Sequence, residues 1–294
     1  MKPFRSFRLC AVLCCLCLSA VLLTGCGRTS TLSPGQTVSK NDLIFTVERM
    51  ALSDDISTIQ ASDTGRYVYT FTSAQEDALY ADLILTLTNT GEESCSITEL
   101  LSPAFQAGDT DFDDVVFFRE IESGTRLEVV TEVGANETLK LHCAFAVDPD
   151  VDPDSLSVTL DPPGWDSYRG DFRALMLPVC TKLSSNTALG AGNTCLYVHS
   201  SKLSTTEDGS RVLTATCTLF NYGSTARNPK YIVSGLLVSP SGTQLLSAPS
   251  ADSSSIANGD SCTVSLVFPL PEDEASVAFL CFNGAYYRLV YPDE

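Results

Sequence analysis

The stretch Leu83 to Gly91, reading L-I-L-T-L-T-N-T-G, returns at Ala215 to Gly223 as A-T-C-T-L-F-N-Y-G. In both copies small or apolar residues alternate with partners on the other face and run into Asn-x-Gly. Period-two alternation marks a half-buried strand, and Asn and Gly at its end suit a residue of positive φ that turns the chain. The surroundings repeat as well. Gly134 to Phe145, G-A-N-E-T-L-K-L-H-C-A-F, is echoed by Ala257 to Phe268, A-N-G-D-S-C-T-V-S-L-V-F. Each is followed by an acidic, Pro-containing turn. Upstream, Cys195, Tyr197 and His199 are expected where Leu43, Phe45 and Val47 stand in the first copy. A strand that recurs with its neighbours calls for two copies of one β-domain.

The remaining segments fit that plan. Leu43, Phe45 and Val47 share a strand face, and Tyr67, Tyr69 and Phe71 form a second alternating run. Val115 to Phe118, Leu127 to Thr131, Leu139 to Val147 and Leu156 to Leu160 are short apolar runs punctuated by Pro, Gly and Asp. No long stretch has a 3.6-residue amphipathic period, so the expected class is all-β, with sandwiches rather than bundles. At 294 residues the chain can bury two cores. The expected boundaries are a targeting segment over 1–25, a flexible Ser/Thr/Gly-rich tether over 26–36, a first sandwich over 37–179, a linker over 180–192 and a second sandwich over 193–294.

Met1 to Cys26 reads as an address. Lys2, Arg5 and Arg8 precede the uncharged, mostly apolar run Leu9 to Leu23, which is short for a membrane span of about 20 residues. It ends in Leu23-Thr24-Gly25-Cys26, which resembles the lipobox of bacterial lipoprotein signal peptides. That resemblance implies cleavage after Gly25, lipidation of Cys26, and an extracytoplasmic protein held on the cell membrane by its N-terminal lipid. The strand Tyr80 to Gly91 and the later G-x-N/G-E/D-T/S turn resemble the immunoglobulin-like, telokin-like domains of unknown function in Gram-positive lipoproteins. The resemblance implies two tandem immunoglobulin-like β-sandwiches with interaction or presentation roles at the cell surface.

Charge narrows the partners. The net charge is −18, and residues 40–179 carry 27 acidic against 8 basic side chains. Such a surface repels phosphate backbones, so nucleic acid is not an expected partner. Asp109, Asp111 and Asp113 alternate, Asp114 follows, and Glu120 stands twelfth from Asp109, as in an EF-hand calcium loop. The loop's Gly is missing at Asp114, and Val115 to Phe118 reads as strand. Solvated acidic turns are therefore the first reading and a calcium site the alternative, with no other cofactor expected. The acidic run Asp148, Asp150, Asp152 and Asp154, broken by Pro149 and Pro153, reads as a solvated loop.

The seven cysteines after Cys26 are expected to be buried thiols. Cys195, Cys217, Cys262 and Cys143 align with the aliphatic Leu43, Leu85, Leu139 and Leu266 of the sister copy. The pair Cys217 and Cys262 is the best candidate for a bridge. His142 is expected to meet solvent and His199 to be a satisfied edge residue. With two histidines and no nucleophile elbow, zincin helix or phosphate loop, enzymatic activity is not expected; an envelope hydrolase is the remotest alternative. The expected function is binding or scaffolding at the cell surface, toward a protein or glycan.

Overall fold

The computed structural model describes residues 29–53, 79–112, 115–121, 126–271 and 276–290. The expected targeting segment with Cys26, the run Tyr67 to Phe71, and Asp113 and Asp114 lie outside the described residues. In chain order the first half forms β1 (Thr29–Thr31), β2 (Thr37–Lys40), β3 (Leu43–Ser53), β4 (Leu79–Asn89) and β5 (Cys95–Ser96). A short helix α1 (Ile97–Leu101) leads to β6 (Pro103–Ala107), β7 (Thr110–Phe112), β8 (Val116–Ile121), β9 (Arg126–Val129) and β10 (Glu132–Val133). Then come β11 (Thr138–Val147), β12 (Leu156–Leu160), β13 (Ser167–Asp171) and the one-turn α2 (Phe172–Leu175). The second half opens with β14 (Thr181–Leu183), β15 (Thr187–Ala191), β16 (Thr194–Thr205) and β17 (Arg211–Asn221). It ends with β18 (Val233–Val238), β19 (Gln244–Ser247), β20 (Ser250–Ala251), β21 (Ser261–Leu270), β22 (Val277–Phe282) and β23 (Ala285–Leu289).

These strands make two sandwiches of one topology. In the first, a sheet ordered β1-β13-β12-β6-β7 faces one ordered β2-β3-β4-β11-β8-β9, with the small pair β10-β5 at one end. In the second, β14-β23-β22-β18-β19 faces β15-β16-β17-β21-β20. The opening strand of each pairs in parallel with the closing one, β1 with β13 and β14 with β23. Fold class and duplication are as expected; the boundaries are not. β1 and the fully buried Leu32 occupy the span expected to be a tether, and β14 and β15 occupy the expected linker.

Both cores follow from alternation. Ala81, Leu83, Leu85 and Leu87 of β4 point inward with Leu139, Leu141, Cys143 and Phe145 of β11. Leu213, Ala215, Cys217 and Leu219 of β17 do the same with Cys262, Val264, Leu266 and Phe268 of β21. At about 25 cal/mol per Å² of apolar surface, each fully buried Leu or Phe contributes about 1.5–3 kcal/mol, so these faces specify the register.

The Asn of the repeated strand is not a turn residue. Neither Asn89 nor Gly91, nor their counterparts Asn221 and Gly223, has positive φ. Both asparagines are buried and clamp a loop. Asn89 Oδ1 accepts from Gly91 N at 2.9 Å, while its Nδ2 donates to the carbonyls of Glu93, Val133 and Gly134. Asn221 repeats the pattern with Gly223 N, Thr225, Ile256 and Ala257. A Cβ on Gly91 would lie 3.1 Å from Asn89 Oδ1, which explains the glycine without a special φ. The left-handed residue is the later one, Asn136 in the first copy and Gly259 in the second.

The register also corrects one alignment. Val47 opposes Leu85 and Val198 opposes Cys217, and each copy has a bulge just beyond, at Val47/Arg49 and Val198/Ser200. Thr194, Leu196 and Val198 therefore correspond to Leu43, Phe45 and Val47, one residue earlier than the sequence comparison placed them. Cys195 lies on the outer face and is only half-buried. The other three assignments hold: Cys143, Cys217 and Cys262 pack as small hydrophobes. All seven described cysteines are free thiols, Cys217 and Cys262 included.

Candidate functional site

The outer face of a sandwich sheet ordinarily meets water and carries scattered polar groups. The outer face of β3-β4-β11-β8 instead carries six charged side chains, with Arg49 meeting the second sandwich: Glu48 and Arg49 from β3, Asp82 from β4, Lys140 and His142 from β11, and Glu120 from β8. The bulge in β3 puts Glu48 and Arg49, neighbours in sequence, on the same face. Arg49 is 6 % exposed and His142 8 %, so desolvation must be offset by partners.

The partners are present. Arg49 Nε donates to Gln244 Oε1 at 3.1 Å, and its Nη1 donates to Glu48 Oε1 at 3.2 Å and to the Tyr286 hydroxyl at 2.6 Å. The guanidinium carbon lies 5.0 Å from the Tyr286 ring centre. Gln244 and Tyr286 belong to the second sandwich, and Gln244 Nε2 also donates to the carbonyls of Met50 and Met176. Lys140 Nζ sits 3.0 Å from Glu48 and 3.1 Å from Glu120. His142 bonds Asp82 Oδ2 through Nδ1 at 2.7 Å and Glu120 Oε1 through Nε2 at 3.1 Å. Asp82 Oδ1 is buried without a hydrogen-bond partner among the described residues.

The two carboxylates set the ionisation of His142. Burial pushes its pKa down, but the Asp82 charge, the hydrogen bonds to Asp82 and Glu120, and the Glu120 charge outweigh that and raise it to about 9. Burial acts on Glu120 in the opposite sense and is outweighed by His142 and Lys140, which hold its carboxyl below the usual range. Burial likewise lowers Lys140, but Glu48, Tyr286 and Glu120 win and raise it. Burial raises the Tyr286 phenol, and Arg49 only partly opposes this. At neutral pH the cluster is three cations against three anions, compensated within itself.

Apolar contacts extend the junction. Leu236, Val238 and Phe279 on the outer face of the second sandwich pack with Met176, Leu177, Cys180 and Tyr286. Leu52 forms a parallel bridge with Thr243, and Arg173 Nη1 donates to the carbonyl of Pro240. Gly242, at φ +93°, lies against Phe172, whose ring a Cβ would overlap. Beside the charges a cleft of about 520 Å³ opens between the sandwiches, lined among others by Gly35, Thr46, Thr86, Val179, Gly284 and Tyr286.

The residues singled out from sequence fall elsewhere. Asp109 and Asp111 lie on the exposed β6–β7 hairpin, where Asp111 Oδ1 accepts from Gln106 at 2.7 Å. Glu120 is on the other sheet, held by Lys140 and His142, so the EF-hand spacing does not bring it to the aspartates. Among the described residues no group of three His, Cys, Asp or Glu could hold a metal ion. Asp148, Asp150, Asp152 and Asp154 are exposed as expected. His142 is buried rather than solvated, enclosed between the carboxylates of Asp82 and Glu120. His199 is exposed, with Nε2 2.7 Å from Thr218 Oγ1 and its ring edge-on to Tyr197.

Glu48, Arg49, Asp82 and Lys140 carried no weight in the sequence reading. The repeat held the signal. With the corrected register the second copy has His199, Ser200, Thr214, Thr263 and Ser265 where the first has Glu48, Arg49, Asp82, Lys140 and His142. Charges present in one copy and replaced by hydroxyls or imidazole in the other mark what the fold itself does not need.

No protein-family model matches the chain, and no curated protein does. Among solved structures it is similar to an uncharacterized β-sandwich protein from Clostridium difficile 630, at 13 % identity and TM-score 0.39 over 49 % of this chain and 94 % of that one. A protein of unknown function from Porphyromonas gingivalis W83 matches at 13 % identity and TM-score 0.17, over 85 % and 98 % of the two chains. An exo-chitosanase from Amycolatopsis orientalis matches at 13 % identity and TM-score 0.21, over 75 % of this chain and 26 % of that one.

Proposed function

We propose that this chain is a lipid-anchored, extracytoplasmic binding or scaffolding protein. Its two sandwiches are presented in one fixed arrangement, and a protein or glycan partner is taken in the cleft between them. The observation that carries this reading is the junction. Domains that serve only as spacers are joined by exposed polar linkers and move independently. Here a buried guanidinium is satisfied only when Glu48, Gln244 and Tyr286 converge on it from both sandwiches. Removing one partner of such a group costs about 3–5 kcal/mol, which penalises other orientations. Ligands favour clefts at domain interfaces, where two surfaces supply apolar walls and a few fixed polar groups. The anchor is the lipid on Cys26, and the net charge of −18 disfavours nucleic acid.

Immobilised delipidated ectodomain and its Thr86→Trp variant, which fills the cleft from β4, are incubated with intact cells and crosslinked. A partner held by the wild type and lost from the variant is the expected result. Equal capture by both refutes the cleft, and no capture by either refutes the binding role.

A further inference from the structure

We infer that one end of the first sandwich faces the lipid surface: the end formed by residues 161–166, residues 90–93 and the β2–β3 turn, with Trp165 and Lys40 at headgroup level. The inference rests on the lipid-anchor reading of Cys26 and adds a direction to it. Two residues, Gly27 and Arg28, separate Cys26 from Thr29, and the three steps between them reach at most about 11 Å when fully extended. Thr29 is not free to wander. It pairs with Ser167 at the start of β13, and three residues on Leu32 is fully buried, its N–H donating to the carbonyl of Arg169 at 2.7 Å. An anchored Cys26 therefore holds its lipid attachment point within about 11 Å of that strand end.

The register says what else is there. β12 ends beside β13, with Leu160 opposite Tyr168, and β6 begins beside β12, with Pro103 opposite Leu160. β2 ends at Lys40, opposite Leu43; β4 ends at Asn89, also opposite Leu43; and β11 begins at Thr138, opposite Thr88. Trp165 is the single tryptophan of the chain. It is half-buried and stacks on Phe45 at 6.3 Å between ring centres, with Lys40 Nζ 5.7 Å above its ring. Lys40 also donates to the carbonyl of Gly164. An amphipathic indole beside a lysine suits the headgroup layer, where the ring meets apolar matter and the ammonium meets phosphate and water. The exposed acids Asp42, Glu92, Glu93, Asp161 and Asp166 surround them. Those acids oppose anionic headgroups, so the surface fits a zwitterionic bilayer and is held there by the anchor rather than by charge. The far end, with the 148–154 loop, lies about 30 Å away along β11.

The single indole makes the test direct. The full chain, processed in a bacterial host, is reconstituted into phosphatidylcholine vesicles carrying a headgroup nitroxide lipid, and mass spectrometry of the N-terminal peptide is read first. An unmodified Cys26 refutes the anchor. With Cys26 lipidated, Trp165 emission should fall by about half or more relative to vesicles without nitroxide. In the Asp150→Trp chain, which keeps Trp165 and adds an indole on an exposed loop of the far end, the quenched fraction should drop to about half the wild-type value. A lipidated chain whose Trp165 is not quenched, or whose quenched fraction is unchanged or larger in Asp150→Trp, refutes the orientation and leaves the anchor standing.

Discussion

The charge cluster ties the stability of the first sandwich to pH through one residue. His142 has a pKa of about 9 in the folded chain against an ordinary value of 6.5. The folded state thus binds the proton more tightly than the unfolded one. The associated stability is fully present below pH 6.5 and is lost as pH rises through about 9. A shift of that size corresponds to about 3 kcal/mol at 1.36 kcal/mol per unit, most of it gone by about pH 8.5. Solvent screening takes little away, because the ring is 8 % exposed. Buried thiols pull in the same direction but at higher pH. Desolvation raises Cys143, and raises Cys217 to about 12, yet unfolded thiols ionise only near 8.5, so the window below that belongs to His142. Urea unfolding followed by Trp165 fluorescence, from about pH 6 to about pH 8.5, measures the loss. The wild type should lose about 2–3 kcal/mol across that window, and His142→Gln should start less stable and stay flat. Parallel declines in the two proteins, or a flat wild type, would refute the assignment of the charge to His142.

Three further outcomes follow from the geometry. Arg49→Ala leaves Glu48, Gln244 and the Tyr286 hydroxyl without their shared donor and should cost about 3–5 kcal/mol, with new protease cutting between the sandwiches as the readout. Gly242→Ala places a side chain at φ +93° against Phe172 and should lower stability by about 1–3 kcal/mol, seen as an earlier thermal transition. Asn89→Ala and Asn221→Ala each strip a donor from three loop carbonyls, and calorimetry should show about 1–3 kcal/mol lost in each case.

The alternation of Leu83 to Leu87 and of Leu139 to Phe145 made both sandwich cores legible, because a strand buried on one face writes its burial into every second residue. Two things escaped it. The first is register: Thr194, Leu196 and Val198 alternate with Cys195, Tyr197 and His199, and both sets are apolar enough that alternation alone does not say which one faces the core. The buried Asn221, matched to Asn89, is the fixed point that restores the alignment. The second is burial imposed from a distance. Arg49 sits on the outward face of β3, and only Gln244 and Tyr286, 195 and 237 residues downstream, supply the second-sandwich partners that let it be buried. His142, on the outward phase of β11, is enclosed with Asp82 and Glu120. The expected tether and linker failed for a related reason. Ser, Thr and Gly in short runs suit flexible chain and edge strands equally, and here Leu32 and Leu183 are buried and pin both segments into sheets.

The bulge shared by β3 and β16 bears on how the two halves differ. Being present in both copies, it belongs to the common fold and not to the surroundings of either half. A regular strand gives each face every second residue, whereas this irregularity hands the outer face two in succession. In the second half the spare pair is His199 and Ser200, both exposed. In the first it became Glu48 and Arg49, an ion pair 3.2 Å apart. One backbone irregularity thus presents an exposed pair in one half and, in the other, the adjacent side chains on which the domain junction is built.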